Sequence, residues 1–354
     1  MMERMDTATS LIQEPAISPE PLFEHIDHGV QSFARIAALI AASRYLFFDH
    51  LATPRTPEEL ASLTKGRAEI IYHVLPVLEE MGLVTSSEGK FSSTPLSLVF
   101  LATSSPYRQG AYLDKTWRHI NDLWLHLPGI MEKGPVSYSQ DLFFRELSLP
   151  AMAENALSGR LQRIVREIAS LPQFHSFRKM VDLGGGHGLY AIALAAMHPL
   201  LHAWVFDMPH VIPLAHRYIQ QYHASRVHTL EGNFFVDDFG KEYDLVFSSS
   251  NPSGKQVGMV RRIADSLNPG GVFVNIQSIG TQSLDIYQSL EMQLWEIEGE
   301  RKDKESYTKE KPFLTDEYRG ALSDAGFSIQ MEKDIRDDYH KGAFVRMIVA
   351  EKKS

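Results

Sequence analysis

Residues 180–199 read MVDLGGGHGLYAIALAAMHP. An apolar run enters four glycines among five residues, and a run rich in Ala and Leu leaves them, which spells strand, tight turn, helix. Glycines permit such a turn and let a ligand approach the backbone closely. The spacing is Asp182-x-Gly184-x-Gly186-x-Gly188, not the G-x-G-x-x-G of dinucleotide sites. It suits a ligand without a pyrophosphate, such as a zwitterionic amino-acid tail joined to a ribose. The next apolar run, HAWVFDM, carries Asp207, 25 positions after Asp182. A carboxylate there can accept hydrogen bonds from both ribose hydroxyls. A purely structural glycine turn with a capping Asp explains the first feature; the two together favour a nucleoside site.

Outward from this turn, strands and helices alternate. VIPLAHRYIQQY reads as a helix, YDLVFSS as a buried strand, VGMVRRIADSL as a helix and GVFVNIQSI as a strand. A helix over 315–325 and two candidate strands, FSIQMEKDI and AFVRMIVAEK, close the chain. This alternation predicts an α/β fold, a doubly wound Rossmann-like sheet, with the last two strands paired antiparallel at an edge.

Toward the N-terminus the texture is helical. Residues 1–20 form a polar arm, and 30–51 a helix that is apolar nearly all round, fit for burial against another subunit. Thr56 is a candidate N-cap with Pro57 in the first turn. A second helix over 68–81 places Ile70, Ile71, Val74, Leu75 and Leu78 on one face, and Gly82 stops it. Two short strands turned at Glu88-Gly89 complete a winged-helix pattern. Residues 57–93 hold six acids and three bases, a net of 3 − 6 = −3, so this module would repel phosphate and is read as a packing and dimerisation unit. The domains expected are an arm at 1–20, the winged-helix-like dimerisation domain at 21–104, a helical linker and pocket wall at 105–172, and the nucleoside-binding domain at 173–354.

The 354 residues carry a net charge of −9 at pH 7, which disfavours coating a nucleic acid. There is no cysteine, so disulfides and thiolate chemistry are excluded. The first residues lack the apolar core of a secretory signal and no run is long enough to span a membrane, so a cytoplasmic protein without membrane partners is expected. The 15 histidines show no metal spacing; His198 and His202 are separated by a helix-breaking Pro199. No metal site is expected.

These motifs, in this order from about Val30 to Lys352, resemble the plant-type O-methyltransferase family, which includes caffeate and hydroxyindole O-methyltransferases and bacterial antibiotic-tailoring relatives. The run TPEELASLTKGRAEIIYHVLPVLEEMGLV looks like its dimerisation domain, VDLGGGHG like its S-adenosylmethionine (SAM) loop, VFDMPHVI like its second-strand motif, and LNPGGVFV and FLTDEYRGALSDAGF like its later motifs. The resemblance implies SAM as cofactor and a homodimer. It places the cofactor contacts on Asp182, Gly184, Gly186, Gly188 and Asp207, with Asn233 and Phe234 of EGNFF beside adenine and Ser249 nearby. Asn233 stands where the family usually has Asp; its carbonyl oxygen can still meet the adenine amino group.

The family's catalytic machinery departs. Its His-Asp-Trp-like segment falls in DLVFSSSNPSGKQVGMVRRI, where no His occurs between Asp244 and Gly270, and the Glu that orients that His falls near Phe313. A carboxylate close to it in sequence is Glu310. Replacement bases to consider are His119, His126 and Glu291, with Glu296 close by; each is also explicable as an ordinary helix residue. Trp117, Trp124, Phe143, Met292 and Trp295 are large and apolar and suit the wall of a pocket for a flat aromatic or polyketide-like small molecule of secondary metabolism, with Trp124, Met292 and Trp295 the substrate candidates. The charge-rich segment 299–311 reads as a lid with Tyr307 at its tip, or as a solvated loop. The activity expected is SAM-dependent methyl transfer, to oxygen first and to carbon or nitrogen as variants. Two other readings stay open: SAM used without methyl transfer, as in hydroxylase or pericyclase relatives, and a non-enzymatic SAM-binding regulator.

Overall fold

In the computed structural model, residues 9–278, 286–298, 314–337 and 343–353 are described. The proposed lid at 299–311 with Tyr307, together with Glu310 and Phe313, lies outside them. The chain divides into two compact units, residues 1–105 and 106–354.

The first unit contains helices α1 (Glu20–Arg44), α2 (Phe47–His50), α3 (Pro57–Thr64), α4 (Ala68–Glu80) and α5 (Pro95–Phe100), and a hairpin of β1 (Val84–Ser87) and β2 (Lys90–Ser93). Thr56 accepts from the Glu59 amide while the Glu59 side chain accepts from the Thr56 amide, a reciprocal cap that starts α3 after the sequence pattern. Glu88 and Gly89 both take positive φ, the mirror-image turn that suits the right-handed twist of a hairpin. Two expectations are corrected. The first helix begins ten residues before Val30 and stops at Arg44, because Leu46 takes a left-handed conformation that separates α1 from α2. It is also not buried all round: Ile40 and Ala42 are buried, whereas Val30 and Phe33 are exposed, as are Leu22, Phe23 and Ile26. On α4, Ile71, Leu75 and Leu78 are buried but Ile70 faces outward.

The second unit opens with α6 (Gly110–Asp122), α7 (Leu127–Lys133), the short strand β3 (Val136–Tyr138), a wide π-type helical turn (Asp141–Ser148), α8 (Leu149–Asn155) and α9 (Leu161–Ala169). The sheet region follows: β4 (Lys179–Leu183), α10 (Leu189–Met197), β5 (His202–Asp207), α11 (Ile212–Gln221), β6 (Val227–Glu231), β7 (Tyr243–Ser249), α12 (Val257–Ser266) and β8 (Leu267–Ser278). After it come α13 (Ile286–Glu291), β9 (Trp295–Ile297), α14 (Asp316–Asp324), β10 (Phe327–Asp337) and β11 (Ala343–Lys352). Seven strands form one sheet in the order β10-β11-β8-β7-β4-β5-β6. Pairings from β6 to β8 are parallel, and β11 runs antiparallel to both its neighbours. The expected edge hairpin is present.

The parallel strands are buried on both faces, so Met180, Val181, Leu183, Val246 and Phe247 read as continuous apolar runs. One apolar cluster joins α9, α10 and one face of the sheet; a second joins α12, α14 and the other. Strand order reverses at β4, flanked by β5 and β7, and such reversals leave a crevice outside the carboxyl ends of the strands. A parallel pair of β3 and β9 lies apart from this sheet, too short to be legible in the sequence.

Candidate functional site

At the carboxyl end of β4 the chain turns through Gly184, Gly186 and Gly188, all with positive φ (64°, 55° and 71°). L-residues avoid this region, which explains the glycine spacing. A Cβ on Gly186 would also sit 3.0 Å from Leu149 Cδ2, and one on Gly185 2.7 Å from Asp182 Cγ. The turn is stitched to β5: the Gly184 amide donates to Phe206 O at 2.8 Å and the Gly186 amide to Asp207 Oδ2 at 2.8 Å. Asp207 Oδ1 accepts from the Met208 amide at 2.7 Å. Each Asp207 oxygen keeps a lone pair for a further donor.

Asp182 is 2 % exposed, and its Oδ2 is buried with no hydrogen-bond partner. Burial first, and the neighbouring Asp207 charge second, push its carboxyl from 3.8 up to about 8. Burial also raises Asp207, against the pull of its two backbone donors. His187 contributes no positive charge: burial, then Arg160, pushes it down to about 3, and its Nδ1 accepts from the Leu189 amide. Two adjacent carboxyls, one with an unused oxygen, therefore face a glycine turn. A ligand carrying donors and positive charge relieves both defects, and SAM, with its ammonium, sulfonium and ribose hydroxyls, has that donor set.

Phe234 packs beside the turn, its Cε1 3.2 Å from where a Gly184 Cβ would be. Asn233 is more engaged than its sequence position suggests. Its Oδ1 already accepts from the Phe235 amide at 3.0 Å, leaving one lone pair on the side-chain oxygen, and its backbone N–H donates to Asp237 Oδ2 at 2.8 Å.

The loop after β7 is held by a side-chain hydrogen-bond network. Asn251 Nδ2 donates to Leu183 O at 2.7 Å, tying this loop to the end of β4. Its Oδ1 accepts from the Ser253 amide and hydroxyl and from Ser248 Oγ. Gln277 Nε2 donates to Asn251 O and Asn275 Oδ1, and Asn275 Nδ2 to Gly254 O and Tyr318 Oη; Gln277 keeps an unpartnered Oε1. Ser249 lies at the strand end with its carbonyl 3.4 Å from Asn251 Nδ2. The network consists of amides and hydroxyls, none basic near neutral pH.

The base candidates separate. His126 is exposed on a short turn after α6. His119 is buried on α6, and its Nδ1 lies 3.1 Å from Glu291 Oε1. Sequence reading named both residues but had no means of pairing positions 172 apart. Of the aromatic candidates, Trp124, Phe143 and Trp295 gather in one cluster, and Trp117 is half-buried on α6. Phe143 stacks on Trp295 with centroids 4.5 Å apart, Tyr138 packs beside both, and Trp124 and Met292 lie against them partly buried. Trp295 is only 5 % exposed, so most of its surface serves packing. Phe144 lies edge-on to Phe143 and 5.6 Å from His210, three residues past Asp207, which carries the aromatic layer to the glycine turn. Among the described residues no three His, Asp or Glu side chains group to hold a metal, and no helix is long and apolar enough to cross a membrane.

Comparison with known proteins agrees with this geometry. An uncharacterised protein of Methanocaldococcus jannaschii is 30% identical over 331 residues, 90% of this chain and 88% of that one. The 3-hydroxy-5-methyl-1-naphthoate 3-O-methyltransferase of Streptomyces sahachiroi is 27% identical over 221 residues, 60% of this chain and 63% of its own length. The solved structure of an O-methyltransferase family protein from Burkholderia thailandensis shares the fold, with a TM-score of 0.67 and 22% identity over 96% of this chain and 99% of that one. The O-methyltransferase domain model matches residues 144–328, and the chain therefore belongs to that family of SAM-dependent methyltransferases.

Proposed function

We propose that this protein methylates a small aromatic or polyketide-like molecule, with Asp182, Gly184, Gly186, Gly188, Asp207, Asn233, Phe234 and Ser249 forming the cofactor site. The observation that carries this reading is the buried Asp182 carboxyl beside the half-buried Asp207 at the glycine turn, with one Asp182 oxygen that has no hydrogen-bond partner among the described residues. Asp207 would accept from the ribose hydroxyls and Asp182 would offset positive charge on the ligand. Phe234 would pack on the adenine ring. When bound, the cofactor supplies an electrophilic methyl group, so the protein needs chiefly to position the acceptor in line and exclude water. The aromatic cluster around Phe143 and Trp295 suits a flat acceptor, with Trp124 and Met292 at its partly buried edge. The naphthoate named for the Streptomyces relative is of that chemical kind. Oxygen is the first acceptor to test, carbon and nitrogen next.

The loop after β7 supports a departure from the family's usual His–Glu pair, since a buried amide network stands in that segment. A homodimer is supported by the exposed apolar stripe Leu22, Ile26, Val30 and Phe33 along α1, which a second copy would cover; a monomeric mass in light scattering at micromolar concentration would sink this. The acid excess of the winged-helix unit argues against a nucleic-acid partner, and a cytoplasmic setting completes the proposal. The deciding experiment is calorimetric titration with SAM and with S-adenosylhomocysteine, using Asp207→Ala as control. Binding lost in the variant supports the site; no binding of either ligand to the unaltered protein overturns it.

A further inference from the structure

We infer that His119 is the general base of the reaction and that Glu291 is its positioning residue, a pair assembled from α6 and the end of α13 in place of the family's usual one. The inference rests on the methyltransferase reading above. Glu291 can only accept, so at 3.1 Å the neutral His119 ring must carry its proton on Nδ1. That leaves the lone pair on Nε2, which is buried and has no hydrogen-bond partner. A buried imidazole nitrogen without a partner is costly for a structural residue, and it is the state a base needs before its substrate arrives.

The surroundings place the pair beside the candidate pocket. One turn along α6 from His119, Leu123 is buried in the aromatic cluster with Phe143 and Trp295, and Met292 follows Glu291 directly. Helix α6 packs on α8, whose Leu149 lies against Gly186 of the glycine turn. Among the described residues, the charged and titratable groups facing His119 are Lys115, Arg118 and Asp122 on its own helix, Glu291 of α13 and Tyr138 of β3. Burial lowers Lys115 while Glu291 pulls it back up. Tyr138 Oη donates to Asp122 Oδ2 at 3.2 Å, and burial with that carboxylate raises the phenol far above its usual range. Tyr138 is thus unsuited to be the base, and His119 is the group with a free lone pair.

In the step, the acceptor X–H gives its proton to His119 Nε2. The electron pair of X forms the new bond to the methyl carbon, and the pair of the broken sulfur–methyl bond stays on sulfur. The resulting imidazolium is held by Glu291, and solvent takes the proton after product leaves.

The test uses the full chain with His119→Gln and Glu291→Gln. Nitrogen-15 NMR of the imidazoles should show His119 protonated on Nδ1 and bare on Nε2, with this preference weakened in Glu291→Gln. A ring protonated on Nε2 in the unaltered protein overturns the inference. Calorimetry should find SAM affinity within about twofold in both variants. Labelled methyl transfer to a series of phenols of falling pKa should drop about a hundredfold in His119→Gln and about tenfold in Glu291→Gln for weakly acidic phenols. The loss should shrink for acidic phenols and at high pH, where the acceptor ionises unaided. An equal loss for every phenol at every pH, or no loss, means that the pair is structural. If SAM binds but no phenol is methylated, the acceptor class proposed above fails and the tautomer measurement decides the pair; if SAM does not bind, the functional reading itself fails.

Discussion

The glycine turn at Asp182–Gly188 and the loop at Ser250–Gly254 sit at the ends of adjacent strands of one sheet, and their polar groups are used differently. In the loop, Asn251 spends its amide on Leu183, Ser248 and Ser253 and becomes a structural brace. In the turn, three glycines hold conformations that other residues avoid, and Asp182 is buried beside a second acid with one oxygen unused. A fold tolerates such defects where a ligand removes them, and it has no reason to keep them elsewhere. The contrast is between a loop whose polar groups are satisfied within the fold and a turn that keeps an unsatisfied carboxyl oxygen.

The largest effect that could break this contrast is expected at Gly186. Gly186→Val forces a β-branched residue into a left-handed backbone and against Leu149. SAM affinity should fall by about a hundredfold or more, a change of about 2.7 kcal/mol; unchanged affinity in calorimetry would show that the turn does not approach the ligand. Asn251→Ala should act the other way round. It removes the tie to Leu183 and leaves buried groups unpaired, so stability should fall by about 2–3 kcal/mol in thermal or denaturant unfolding. SAM affinity of the folded protein should change by only a few-fold; a large loss of affinity at full stability would make Asn251 a binding residue.

A smaller effect sharpens the electrostatic side. Asp182 has an ordinary pKa of 3.8 when unfolded and about 8 when folded, so between these values the native state holds a proton that the unfolded state lacks. Its contribution to stability is complete below about pH 4 and is lost as pH rises through about 8. His187, held down at about 3, behaves oppositely on the acid side, contributing above pH 6.5 and losing that contribution as pH falls. Asp182→Asn should therefore flatten the decline between pH 4 and 8 in chemical denaturation series, by an amount of order a few kcal/mol. Saturating SAM should flatten it too. A variant that keeps the full decline would place its origin elsewhere.

The glycine turn was legible because its parts are contiguous: strand, glycines and helix follow one another, and Asp207 lies one strand on. The alternation of strands and helices made the sheet legible for the same reason, down to the antiparallel pair at its edge. Other features depend on distance in space. The partnership of His119 with Glu291 links positions 172 apart, and the Asn251 brace joins residues from three strands. The start of α1 was missed because its first turns are polar on most faces, with Leu22, Phe23 and Ile26 exposed among them.

The position of β11 also bears on how the chain is made. It lies between β8 and β10, so β8, buried along Val272–Gln277, has an open flank until the last strand arrives. That strand begins at Ala343, 65 residues after β8 ends at Ser278. At a synthesis rate of roughly 5–20 residues per second, the nascent chain carries an apolar strand edge for about 3–13 s. Such an edge can recruit another chain, so the interval in which this protein is most prone to aggregate falls on the ribosome, before the sheet can close.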